Sequence, residues 1–181
     1  VLSSKQGLLR AKGDVGMGLR PLCVLTLCLV IVACAGPRSR YPIEEASTRD
    51  APAAAAAISE FRQSQGLGPV VVDSRLDEAA LQQAKAMAAS DTLSHTVVGS
   101  FSSRMQGMGF IWGYSAENLG MGYRDLASAI RGWKASPGHR QNLLLPQATR
   151  IGLARARGAG KNYWALVLAS PDMTPDGRPK L

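Results

Sequence analysis

Trp133-Lys134-Ala135-Ser136-Pro137-Gly138-His139-Arg140-Gln141-Asn142-Leu143-Leu144 is the most informative run in the chain. Its first residues close a helix expected from about Tyr123 to Ala135, in which Leu126, Ile130 and Trp133 fall at i, i+4 and i+7 and share one face. Ser136-Pro137-Gly138 stops that helix, because proline lacks an amide N–H and disfavours helical geometry in the residue before it. His139 therefore emerges straight from a turn. The sequence holds only one other histidine, His95.

Upstream, the alanine run Ala53 to Ala57 leads into Ile58 and Phe61, and a first helix is expected from about Pro52 to Gln65, with proline tolerated in its first turn. Gly66-Leu67-Gly68-Pro69 ends it. A second helix is expected from Ser74, where Ser74-x-x-Asp77 has the form of a capping box and Leu76, Ala80, Ala84 and Met87 line one face. Its end delivers His95. A short helical stretch around Met105 follows, and Phe110 to Met121 is expected to run through a polar turn to the next helix. Beyond the opening run, Arg150–Ala156 and Tyr163–Leu168 are expected to be antiparallel strands around a turn at Gly158 to Asn162. Helices first and strands late point to an α+β domain with a small antiparallel sheet flanked by helices, over residues 53–170. Residues 171–181 are expected to form a loose tail.

The N-terminal part follows different rules. Met17-Gly18-Leu19-Arg20-Pro21 and the apolar run Leu22 to Ala33 have the form of a signal peptide, too short to cross a bilayer comfortably as a helix. The exit Ile31-Val32-Ala33-Cys34 has the form of a bacterial lipobox, with Cys34 as the acylated residue. On this expectation residues 1–16 are an upstream extension, 17–33 a lipoprotein signal peptide and 34–52 a lipidated tether, polar and without apolar periodicity. The protein would be exported and anchored to the cell membrane or outer membrane. Cys23 and Cys28 would be removed and Cys34 lipidated, so the mature domain would stand without a disulfide.

The whole chain is 46% hydrophobic and 19% charged, a globular balance. Its mature part keeps 17 basic and 12 acidic side chains, a net +5. The basic residues are scattered, which fits a solvated surface, and no nucleic-acid motif is present.

The residues able to carry chemistry are His95, in Leu93-Ser94-His95, then Glu117, in Ala116-Glu117-Asn118-Leu119, and His139 in the opening run. Taken in order, these three motifs resemble those of bacterial members of the CAP superfamily, the cysteine-rich secretory, antigen and pathogenesis-related proteins. Ile151-Gly152-Leu153 and the closing aromatic strand resemble the family's C-terminal sheet, and the resemblance covers about Ile58 to Ser170.

It implies a three-layer α-β-α sandwich in which two histidines and acidic residues meet in a cleft, where some members bind a divalent cation, often zinc. By position, His95, Glu117 and His139 are the metal set of this chain, with Asn118, Ser136 and Asn142 lining the cleft. Ser136 stands where many eukaryotic members carry a further acid. Two imidazoles and a carboxylate are an acceptable zinc set with a position open to water. The same three residues equally suit a buried polar network that orients loops. Ser136 three residues before His139 raises a nucleophile pair, but Ser-Pro-Gly is a helix-ending sequence and no aspartate stands nearby to orient the ring. Asn142 is expected to tie down its loop through side-chain bonds to the backbone. Three functions follow: a module whose cleft binds a lipid or envelope ligand, a metal-assisted hydrolase of peptide or wall polymer, or a structural envelope protein that binds a protein partner.

Overall fold

The computed structural model describes residues 40–110 and 113–171. The upstream extension, the signal peptide, Cys34, the first part of the tether and the tail beyond Pro171 lie outside the described residues. At the centre are β4 (Arg150–Gly158) and β5 (Lys161–Ala169), an antiparallel hairpin in register from Arg150↔Ala169 to Gly158↔Lys161. Ala159 and Gly160 turn the corner with φ of 51° and 71°, as a two-residue turn matching the strand twist requires. On the far side of β5 lies β3 (Ser115–Met121), antiparallel and at the sheet edge. The other side of β4 is shared by β1 (Ile43–Ser47), antiparallel, and the two-residue β2 (Val71–Val72), parallel.

One face of the sheet is covered by α1 (Ala51–Gln63), α4 (Leu126–Ala135) and α5 (Pro137–Leu143). Ile58, Ile130, Trp133 and Leu143 pack there on Ile151, Leu153, Trp164, Leu166 and Leu168. The other face is covered by α2 (Ser74–Ser90) and α3 (Phe101–Gly107), with Leu76, Ala80, Ala84, Met87 and Met105 on Ala154, Ala156, Tyr163, Ala165 and Val167. This is the three-layer α-β-α sandwich expected of an α+β chain. It explains why β5 is apolar at nearly every position: both faces of an interior strand are buried, so hydrophobicity no longer alternates. Burial of each large side chain here contributes about 1.5–3 kcal/mol.

Side-chain size still alternates. Toward α1 and α4 the hairpin presents large residues, and toward α2 it presents mostly alanines, which lets the Ala-rich face of α2 approach the backbone. Gly152 marks the closest point, since a Cβ there would lie 2.0 Å from the carbonyl carbon of Leu76.

Four local expectations need correction. The tether does not reach Pro52: Ile43–Ser47 joins the sheet, because Glu45 meets Arg155 at 2.7 Å and Glu44 meets Arg157 at 2.8 Å on the strand it pairs with. Its polarity marked an edge strand. The capping box at Ser74 does not form. Asp73 caps α2 by accepting from Arg75 N at 2.9 Å, while Asp77 turns to the sheet and accepts from Leu153 N at 2.9 Å. The connection expected between Phe110 and Met121 contains β3 from Ser115 onward, and α4 begins only at Leu126, where Asp125 and Ser128 form a capping box. Finally, Ser136 ends α4 and also starts α5, so His139 sits within a helical turn rather than a loop.

Candidate functional site

The site is built around the edge strand β3, whose alternation sends successive side chains to opposite faces. Glu117 faces the α3 side and is 5% exposed. Its two carboxylate oxygens accept from Arg104 Nη2 at 3.0 and 2.8 Å. His95 Nδ1 lies 2.7 Å from Glu117 Oε1, and against an ionised carboxylate that nitrogen is the donor. The His95 loop is placed by two further bonds. Gln83 Nε2 of α2 donates to Ser94 O at 2.6 Å, and Arg104 Nη2 donates to His95 O at 3.2 Å. The side chain of His95 remains 55% exposed.

Asn118 faces the other way and is fully buried. Its Nδ2 donates to His139 O at 3.0 Å, and its Oδ1 accepts from Asn142 Nδ2 at 2.9 Å. Asn142 Nδ2 also reaches Glu117 O at 3.2 Å, so α5 is fastened to the same strand that carries Glu117. Ser136 supplies backbone bonds only: its N–H donates to Gly132 O at 3.1 Å and its carbonyl accepts from Arg140 N at 2.8 Å. Its hydroxyl makes no capping bond. His139 is half-buried, and its pKa is pressed below the ordinary value by burial and then by the charge of His95.

Residues 55–169 match the family model for the cysteine-rich secretory protein (CAP) family. The chain belongs to the CAP family. It is 31% identical over 94 residues to the uncharacterized protein YkwD of Bacillus subtilis, a match covering 51% of this chain and 37% of that protein. The chain thus spans little more than a third of the length of that relative. Among solved structures it is similar to an outer surface protein from Borrelia burgdorferi, with a TM-score of 0.64 at 20% identity, over 72% of this chain and 98% of that one. It is also similar to an extracellular protein containing an SCP domain from Bacillus anthracis, with a TM-score of 0.58 at 22% identity, over 65% of this chain and 39% of that one. These likenesses are likenesses of fold.

Within this CAP domain two of the three residues expected to bind a cation, His95 and Glu117, meet at β3 together with an unforeseen Arg104, while His139 is joined to the strand through its main-chain carbonyl. Both oxygens of Glu117 are already spanned by a guanidinium, and a divalent cation on the same oxygens would face that positive charge at close range in a poorly screened site. The donor set as it stands does not fit a metal held by Glu117. Among the described residues, no group of three or more His, Cys, Asp or Glu side chains is arranged to hold a metal ion.

Two arginines escaped sequence reasoning. Arg104 lies beside Met105, in a helix of only seven residues whose face could not be assigned from spacing. Arg62, fully buried in α1, donates to the carbonyls of Gly68, Leu143, Leu145 and Ala148, each at 2.9 Å, and so holds the end of α5 in place. A charged residue on the inward face of an otherwise Ala-rich helix was the available signal.

Proposed function

We propose that this CAP-domain protein is an exported binding module, held at the envelope by a lipid on Cys34, whose cleft between His95 and His139 takes a lipid or other envelope ligand through its polar part. The observation that carries this reading is the state of Glu117. Here the buried carboxylate of Glu117 accepts from Arg104 through both oxygens and lies against His95 Nδ1, the arrangement of a group that holds its neighbours in place. What the site offers a ligand is the exposed imidazole of His95, held by Glu117 and by main-chain bonds to its loop, which suits recognition. Export is supported by the run from Met17 to Cys34, and by the outer-surface and extracellular descriptions of the two similar structures.

Native mass spectrometry of the protein purified from its own membranes tests the ligand. The expected result is a co-purifying species that is absent from a variant carrying His95→Ala and His139→Ala. Empty spectra together with turnover of envelope peptides or peptidoglycan would establish the hydrolase instead. For the anchor, labelled fatty acid should enter the wild type and not Cys34→Ala.

A further inference from the structure

Resting on the reading of this cleft as the binding site, we propose that Arg104 is its built-in cation. It is a positioning residue that takes the place of a metal on Glu117 and fixes His95 as the Nδ1–H tautomer, leaving Nε2 as the acceptor a ligand meets.

The first support is geometric. One guanidinium nitrogen spans both oxygens of Glu117 and also bonds the main-chain carbonyl of His95, so a single group orients both members of the pair. The second is energetic. Arg104 and Glu117 are 5% and 2% exposed in their side chains, and Arg104 Nε and Nη1 are buried without a hydrogen-bond partner among the described residues. Unpaired buried donors are costly, and a buried ion pair is often no more stable than apolar residues filling the same volume. Packing alone therefore gives little reason for an arginine here. The third support is chemical. A carboxylate held between a guanidinium and an imidazole is acceptor-only, and the neutral imidazole beside it then keeps its proton on Nδ1. Its other nitrogen belongs to a side chain that is 55% exposed. The Phe101 ring, 5.3 Å from the Arg104 guanidinium, packs over the cation and adds a favourable contact with its charge.

The test combines nitrogen-15 NMR of the histidines at pH 8 with zinc titration of the soluble domain. In the wild type and in Arg104→Lys, His95 should show the Nδ1–H signature, and in Arg104→Met, where neither the Glu117 oxygens nor His95 O is held and the His95–Glu117 contact is released, a mixture of tautomers. A wild-type pattern retained in folded Arg104→Met would overturn the proposal. Zinc affinity should differ less than threefold between the wild type and Glu117→Gln, and a loss of tenfold or more in that variant would equally overturn it. The zinc comparison stands even if Arg104→Met does not fold. Neither readout involves the envelope ligand, so empty mass spectra would sink the binding role while leaving this assignment to stand or fall by itself.

Discussion

Asn142 Nδ2 lies 2.9 Å from Asn118 Oδ1 and 3.2 Å from Glu117 O, so one amide on α5 grips both a side chain and the main chain of β3. Asn142→Ala leaves Asn118 Oδ1 without that donor, and Asn118→Leu removes a donor from His139 O and an acceptor from the Asn142 amide, which keeps Glu117 O. Unmet buried partners cost about 1–3 kcal/mol each. Urea denaturation should show losses in that range, larger for Asn118→Leu, and a variant within about 0.5 kcal/mol of wild type would contradict the role given to this amide pair.

Arg62→Met should be more damaging. Four backbone carbonyls lose their donor at once, those of Gly68, Leu143, Leu145 and Ala148. A loss of at least about 3 kcal/mol is expected, from the summed cost of unpaired buried acceptors. Arg62→Lys should recover part of it, since an ammonium can serve some of these carbonyls but lacks the planar fork. Equilibrium unfolding of the two variants side by side checks the order.

Gly152→Ala should prevent folding. A methyl group 2.0 Å from the Leu76 carbonyl carbon cannot be accommodated unless α2 moves off β4. Gly107→Ala is the control, because the space around that position is open and alanine favours the helix by up to about 1 kcal/mol. Soluble yield and circular dichroism separate the two outcomes.

The depressed pKa of His139 makes stability depend on pH in a defined direction. The folded state resists protonating this ring, through burial first and the His95 charge second, while the unfolded chain protonates it near the ordinary value of about 6.5. The unfolded state thus binds more protons as the solution is acidified. The contribution is complete above the unfolded value and is lost as pH falls through the folded one. Between pH 7.5 and pH 5 the urea midpoint should drop further for the wild type than for His139→Asn. Parallel curves would show that this histidine is not involved.

Several elements were readable in the sequence because their causes are local. The hairpin of β4 and β5 announces itself by branched and aromatic residues around a glycine turn. The inward face of α2 follows from the spacing of Leu76, Ala80, Ala84 and Met87, and the end of α4 from Ser136-Pro137-Gly138. β3 was not readable. Ser-Ala-Glu-Asn-Leu-Gly-Met contains no β-branched residue, and it is a strand because β5 offers it seven paired positions. β1 was hidden for a similar reason, since Glu44 and Glu45 look like solvent-facing acids until Arg155 and Arg157 stand across from them.

The candidate site divides along the same line. His95, Glu117 and His139 could be named from their motifs, and the structure brings His95 onto Glu117 while His139 reaches β3 through its main-chain carbonyl. Arg104 could not, although it touches two atoms of Glu117 and one of His95. By itself the sequence determined where helices begin to fail, which faces turn inward and which three polar residues belong to one motif set. Those properties arise from neighbours a few positions apart. Only the tertiary structure decided that a guanidinium meets Glu117 and that Arg62 locks the end of α5, because such bonds depend on separations of about 3 Å between groups that packing, not chain order, brings together.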